Sequence, residues 1–366
     1  MTHIDDAGCP EAIRNYVRGN NHIELTGYVR KGFNGEVYFA KRKKLDDEVV
    51  LKFYLAKPGY DASEEAVILK GIDHPNILKI YDLRFVPPEY AFFLSPRVSG
   101  GDLQTHIDIE LFSSKDSLKL ISDVLNGVTE LHSGHSLVHR DLKPGNILID
   151  FNKKNAIIAD LGAVKKIQEA SGFVTASKAT RVYLPSESIL NNKYYFQSDL
   201  YQVGLIMFQL LGGFFPVSDE IKWLNKRDAK EVNGIRNSIQ KALKFDEIID
   251  KKICNGSLAN TNTLPGYLDS QFKRILNKAL HIDYRQRYQS SSEFLKAVHS
   301  LERWLPNYRQ TEDFLLVSHD SGKEFKIYQD KKKNYVLEKR TNGKNWRKDN
   351  GHNGDFKSVI EIARQK

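Results

Sequence analysis

The sequence predicts an α+β chain of two lobes, a small β-rich N-lobe and a large α-helical C-lobe, followed by a small β/α module. Three observations predict it. Short β-branched and aromatic runs, separated by turn residues, fill residues 22–94. Beyond residue 100 the apolar residues recur at helical spacing. Past Pro306 strand-like alternation returns and ends in one short helix. The layout this implies is an N-terminal leader over 1–21, a domain over 22–305 divided into 22–94 and 95–305, and a basic module over 306–366. A chain of 366 residues that is 40% hydrophobic suits about two domains and can bury a sizeable core.

Each element has its own justification. HIELTGYV, EVYFAKRK and EVVLKFYL read as three strands, and ILKIYDLRF and EYAFFLS as two more. Between the two groups, Ala62 to Gly71 reads as a helix that Ser63 caps. SLKLISDVLNGVTELHSG places Leu118, Ile121, Val124, Leu125 and Val128 on one helical face. FQSDLYQVGLIMFQLLGG is apolar nearly all round, as a buried central helix must be. DSQFKRILNKAL and SSSEFLKAVHSLERWL are further helices, and 224–268 is polar and irregular. In the tail, FLLVSHD, EFKIYQD and NYVLEKR alternate like strands. Lys331–Lys333 reads as a solvated hairpin tip and Trp346 as part of the module's core. Asp355 caps a last helix with Phe356, Val359, Ile360 and Ala363 inward. The tail reads as a free-standing unit.

Composition excludes some classes. No apolar run approaches the roughly 20 residues that span a bilayer, and the N-terminus lacks a signal-peptide pattern. Cys9 and Cys254 are the only cysteines, too few for a disulfide framework or a metal cluster. His106, His132 and His135 show no ligand spacing. A soluble, cytoplasmic protein is expected. The net charge is +9, and residues 306–366 hold fourteen Lys/Arg against nine Asp/Glu. Such a surface tolerates acidic partners, nucleotides included, without establishing nucleic-acid binding. Trp346 beside Arg347 and Lys348 leaves base stacking by the tail open as a minor alternative.

Two stretches carry chemistry. In VHRDLKPGNILID, residues 138–150, Asp141 can accept a proton, Lys143 can neutralise a transferring phosphoryl group, and Asn146 offers a hard oxygen to Mg²⁺. In AIIADLG, residues 156–162, an apolar strand ends in Asp160, followed by Gly162, a good place to hold a metal. A third stretch, VRKGFNGEVYFAK, residues 29–41, reads by itself as a hairpin, since Asn34-Gly35 is a common hairpin pair.

With these residues in view, the chain resembles the eukaryotic-type (Hanks-type) serine/threonine protein kinases over about residues 22–304. His139 to Asn146 fits that family's catalytic loop, and Asp160-Leu161-Gly162 its metal-binding triplet with Phe changed to Leu. Val49 to Lys52 resembles the strand with the ATP-pairing lysine, and Glu65 its helix partner. Thr180 to Glu187 resembles the end of an activation segment, with Pro185 one place early. Ser198 to Gly204 resembles the central helix, and Arg287 sits where an arginine pairs with the segment's glutamate, here Glu187.

The resemblance implies ATP between the lobes with Mg²⁺ or Mn²⁺. Gly32 and Gly35 would approach the phosphates, with Arg30 at the loop's first glycine place. Val37, Val50 and Leu148 would sandwich the adenine, and the Pro96 carbonyl and Val98 N–H would read its edge. Ser95 would be a small gatekeeper and Asp102 would reach the ribose. Lys52, held by Glu65, would pair the phosphates. Asn146 and Asp160 would bind the metal, and Asp141 and Lys143 would serve the acceptor hydroxyl of a protein substrate. Arg140 implies a switch by phosphorylation, with Ser171, Thr175, Ser177 and Thr180 as candidate sites. A nucleotide-binding scaffold without chemistry and a small-molecule phosphotransferase are the competing readings.

Overall fold

Alternation builds the first sheet. The computed structural model describes residues 10–30, 36–55, 69–87, 89–177, 180–217, 219–349 and 354–365. Five antiparallel strands, β1 (Ile23–Arg30), β2 (Glu36–Arg42), β3 (Asp47–Leu55), β4 (Asp82–Val86) and β5 (Tyr90–Pro96), lie in the order β1-β2-β3-β5-β4. Successive strand residues face opposite sides. One side, with Tyr38, Ala40, Val49, Leu51 and Phe53, is buried. The expected helix over 62–71 is described only from Leu69 to Gly71, so Glu65 lies outside the described residues, as do Gly32 and Gly35.

The segment over 1–21 contains a helix. Helix α1 (Glu11–Gly19) belongs to this sheet's core. Ile13 and Val17, one turn apart, are buried, and the Tyr16 ring meets Phe92 at 5.0 Å and Phe53 at 6.1 Å. Nine residues give too short a period to announce a helix, yet three apolar side chains suffice to seat it.

The compact units do not break at residue 95. Two compact units emerge, one of 1–101 with 148–161, the other of 102–147 with 162–366. The hairpin of β6 (Ile147–Asp150) and β7 (Asn155–Ile158) joins the first unit through long-range bonds. Asn76 Nδ2 donates to the Ala156 carbonyl at 2.9 Å, and Leu78 N to that of Ile158 at 2.8 Å. Gly100 N donates to the Ile149 carbonyl and Ile149 N to that of Gly101, both at 2.9 Å. A Cβ on Gly100 would stand 2.2 Å from the Ile149 oxygen, so only glycine permits this approach.

The second unit is helical, with α2 (Leu103–Ile109), α3 (Ser114–Thr129), α4 (Ser186–Asn191), α5 (Phe196–Leu210), α6 (Lys226–Asn233), α7 (Ser238–Cys254), α8 (Ser270–Ala279) and α9 (Ser291–Trp304). Every residue of α5 from Ser198 to Leu210 is buried, as its apolar composition requires.

The tail packs within this second unit and is not free-standing. Its strands β8 (Asn307–Gln310), β9 (Leu315–Ser318), β10 (Lys323–Gln329), β11 (Tyr335–Thr341) and β12 (Arg347–Lys348) form an antiparallel meander. Helix α10 (Phe356–Arg364) buries Val359, Ile360 and Ala363. Lys331–Lys333 form an exposed turn. At its base, Asn307 Oδ1 accepts from Lys115 N at 3.0 Å, and Tyr308 N donates to Ser114 Oγ at 2.9 Å. Trp346 does not join the module's core; it is half-buried with the Arg340 guanidinium 4.4 Å above its ring. The core is Tyr308, Leu315, Val317, Phe325, Ile327, Val336 and Leu337 with α10.

Candidate active site

In the first unit the sheet register collects one set of side chains. Val37 lies opposite Lys52, Phe39 opposite Val50, and Val50 opposite Ser95. Residues directly opposite share a face, so Val37, Val50, Lys52 and Ser95 stand on the side away from α1. The Lys52 ammonium lies 2.5 Å from Asp160 Oδ1. Asp160 holds a left-handed backbone at φ +59°, a conformation non-glycine residues adopt only where the surroundings enforce it. Pro96 ends β5, and Leu148 sits in the hairpin strand that Gly100 and Gly101 secure.

In the second unit a buried carboxylate sets the loop that carries Asp141. Asp199 is fully buried. Its Oδ2 accepts from His139 N at 2.8 Å and meets His132 Nε2 at 2.8 Å. Its Oδ1 accepts from Arg140 N at 3.0 Å and the Tyr194 hydroxyl at 2.7 Å. Burial alone raises the Asp199 pKa, but His132 and the neighbouring donors outweigh it and hold the carboxyl below its ordinary value. Burial, then the Asp199 charge, push the Tyr194 phenol well up, so it remains a donor. Gln202 Oε1 adds a bond from Leu142 N at 2.8 Å. The loop is thus pinned at 139, 140 and 142, on either side of Asp141, and Arg140 takes φ +69°.

The two oxygens of Asp141 differ. Oδ2 accepts from Lys143 Nζ at 2.9 Å and from Asn146 Nδ2 at 3.0 Å. Oδ1 is buried and has no hydrogen-bond partner among the described residues. Such an atom costs about 1–3 kcal/mol, and native structures carry few. Asn146 Nδ2 also donates to the Asp141 carbonyl at 2.7 Å. Both amide hydrogens are then engaged by Asp141, which leaves the Asn146 amide oxygen as the donor end. Lys143 Nζ bridges on to Thr180 Oγ1 at 2.9 Å.

A site with a pinned, half-satisfied carboxylate, an amide oxygen and a lysine suits chemistry on a phosphoryl group. Comparison with known families agrees: the family described as protein kinase domain matches residues 24–299. The chain belongs to the protein kinase family. Among curated relatives, a calcium-dependent protein kinase 4 of Plasmodium berghei (strain Anka) is 32% identical over 196 residues, which is 51% of this chain and 36% of that protein. The match therefore spans about a third of that relative's length.

The kinase domain places the remaining sequence-predicted residues as follows. Lys52 and Asp160 come together in the first unit; Asp141, Lys143 and Asn146 come together in the second. Gly32, Gly35 and Glu65 lie outside the described residues, so the described partner of Lys52 is Asp160. Asp102 caps α2, its Oδ1 accepting from Thr105 N at 3.0 Å. Val98 and Leu148 are half-buried. Arg287 meets Glu187 in a buried bidentate pair, both bonds 2.8 Å, as the resemblance implied. Arg140 Nε donates to the Ala163 carbonyl at 2.6 Å and Nη1 to that of Thr175 at 2.9 Å, while Ser177 Oγ donates to the Arg140 carbonyl at 2.9 Å.

The sequence reading assigns Tyr194 and Gln202 no role and denies His132 only that of a metal ligand. A usable signal existed: Asp199 and Gln202 are polar residues one turn apart in a mostly apolar stretch, and buried polar groups need partners.

Proposed function

We propose that the chain is a serine/threonine protein kinase that uses ATP with Mg²⁺ and transfers the γ-phosphoryl group to protein hydroxyls, its own included. One observation carries this most: Asp141 has one oxygen fixed by Lys143 and Asn146 and the other buried without a partner among the described residues. The unpartnered oxygen is the natural acceptor for an incoming hydroxyl, since it completes its hydrogen bonding only when that group arrives. Lys143, held between Asp141 and Thr180, neutralises charge beside it.

The chain's residues fit a Mg²⁺ nucleotide. Asp160 and the Asn146 amide oxygen are hard oxygen donors of the kind Mg²⁺ takes. Val37 and Val50 share the sheet face with Lys52 and would hold a flat apolar ring, with Leu148, Pro96, Val98 and Asp102 as its further contacts. When bound, the metal nucleotide supplies the phosphoryl donor with its charge partly neutralised. Lys52 exchanges its bond with Asp160 for the phosphates, and Asp141 orients the acceptor hydroxyl and takes its proton. Most of the acceleration comes from positioning.

Lys143 with its Thr180 bridge supports a Ser/Thr acceptor over a small-molecule one, because Thr180 belongs to the segment that a protein substrate would meet. Labelled ATP with Mg²⁺ and a generic protein tests the reading. Label should enter the protein fraction as phosphoserine or phosphothreonine and vanish in Asp160→Ala. Nucleotide binding without any transfer, in a folded protein, would reduce the chain to a scaffold.

A further inference from the structure

An open cleft lies on the opposite face of the first sheet, lined from the C-terminal end of α1, the start of β1, the end of β2 with the turn after it, and β3, β4 and β5. Its volume is about 890 Å³, within the roughly 300–1,000 Å³ range of small-molecule sites. The floor is apolar and aromatic, with Tyr16, Leu51, Tyr81 and Phe92. Leu51 adjoins Lys52 in β3, so the two side chains face opposite ways. The cleft is therefore separate from the side with Val37, Val50 and Lys52.

Among the described residues its lining holds three cations, Arg42, Lys44 and Arg84, and the carboxylate of Asp82, which accepts from Arg84 Nε at 2.6 Å. Arg42 is held in place by Asp47, which accepts from its Nε at 2.7 Å and also from Nη2. In that pose the guanidinium lies 4.7 Å over the Tyr81 ring. A cation fixed over an aromatic floor presents an apolar surface and a positive group side by side, with little left to order on binding. Lys44 is exposed in the adjoining turn.

We propose that this cleft binds an aromatic acid, its ring on the Tyr81–Phe92 floor and its carboxylate or sulfonate against Arg42 and Lys44. The floor selects a flat apolar body, and the rim selects an anion over a cation. The inference needs only the first unit and does not depend on phosphoryl transfer.

The test uses 1-anilinonaphthalene-8-sulfonate, an aromatic sulfonate whose fluorescence rises in apolar surroundings, titrated into the full chain. Two exposed positions make suitable variants. Lys44→Glu reverses a rim charge. Gly19→Phe adds bulk at a residue that lines the cleft, where a Cβ meets no atom within 4 Å. A saturable one-site rise is expected, at least about tenfold weaker in each variant and unchanged by excess of a non-hydrolysable ATP analogue. Melting curves confirm folding, and if Gly19→Phe unfolds, Lys44→Glu decides. The proposal falls if there is no saturable rise, if both folded variants bind as the parent does, or if the nucleotide analogue displaces the probe.

Discussion

At the scale of single residues, Asp141 and Asp199 divide the work. Asp141 keeps one oxygen without a partner among the described residues. Asp199 has both oxygens engaged and holds the loop on either side. Asp141→Asn keeps the shape but removes the proton acceptor, so single-turnover transfer should fall by about 10²–10⁴ with nucleotide affinity nearly unchanged. Transfer at the parent rate would move the role elsewhere. Asp199 yields a pH prediction. Its folded carboxyl lies below its ordinary value of 3.8. It therefore stabilises the fold above that value, and the contribution disappears as pH falls through the lower folded pKa. His132 is the partner that lowers it most. His132→Leu should bring the acid loss to higher pH as well as lowering stability at neutral pH. Urea unfolding across the acid range measures this, and a parallel downward shift at every pH would remove Asp199 titration from the account.

At the scale of elements, legibility followed the range of the interactions. The five strands were legible because alternation is local, and the loop from His139 to Asn146 because its residues are nearly adjacent. Helix α1 was not, because its evidence is the packing of Ile13, Tyr16 and Val17 on strands that come later in the chain. The place of the hairpin over 148–161 in the first unit was hidden for the same reason: Asn76 reaches Ala156 across 80 positions. Trp346 misled because aromaticity suggests a core, whereas Arg340 covers its ring at the module's edge. Two changes test the elements. Ile13→Ala should cost about 2–5 kcal/mol by the cavity it leaves under α1; a loss within error in denaturant unfolding would make α1 a passenger. Arg287→Ala strands Glu187 in the interior and should cost about 3–5 kcal/mol, whereas Arg287→Ala with Glu187→Ala should recover part of it.

At the scale of the whole molecule, the chain gathers its sequence into two units that do not follow sequence order, and the tail stabilises one of them. The N-terminus of α3 is where this matters. The first N–H groups of a helix have no partner within it. Ser113 caps α3 through Asp116 N at 3.2 Å, and Asn307 supplies an acceptor for Lys115 N. From the module's last helix, Arg364 Nη2 donates to the Tyr267 carbonyl at 2.9 Å, and the Tyr267 ring meets that of Tyr308 at 5.8 Å. Tyr308 is almost fully buried. Removing residues 307–366 therefore exposes apolar surface on the helical unit and leaves Lys115 N without its acceptor. The helical unit should melt at a lower temperature without the tail, and the intact chain should show tail and helices unfolding in one transition. Asn307→Ala isolates the polar part: it should cost about 1 kcal/mol in the intact chain and less when Lys115 is replaced by proline, which has no N–H to offer at that position of the first turn, the remainder being the Ser114 Oγ donation to Asn307 Oδ1 at 3.3 Å. Separate melting of the tail, with the helices unchanged by its loss, would make it an appendage.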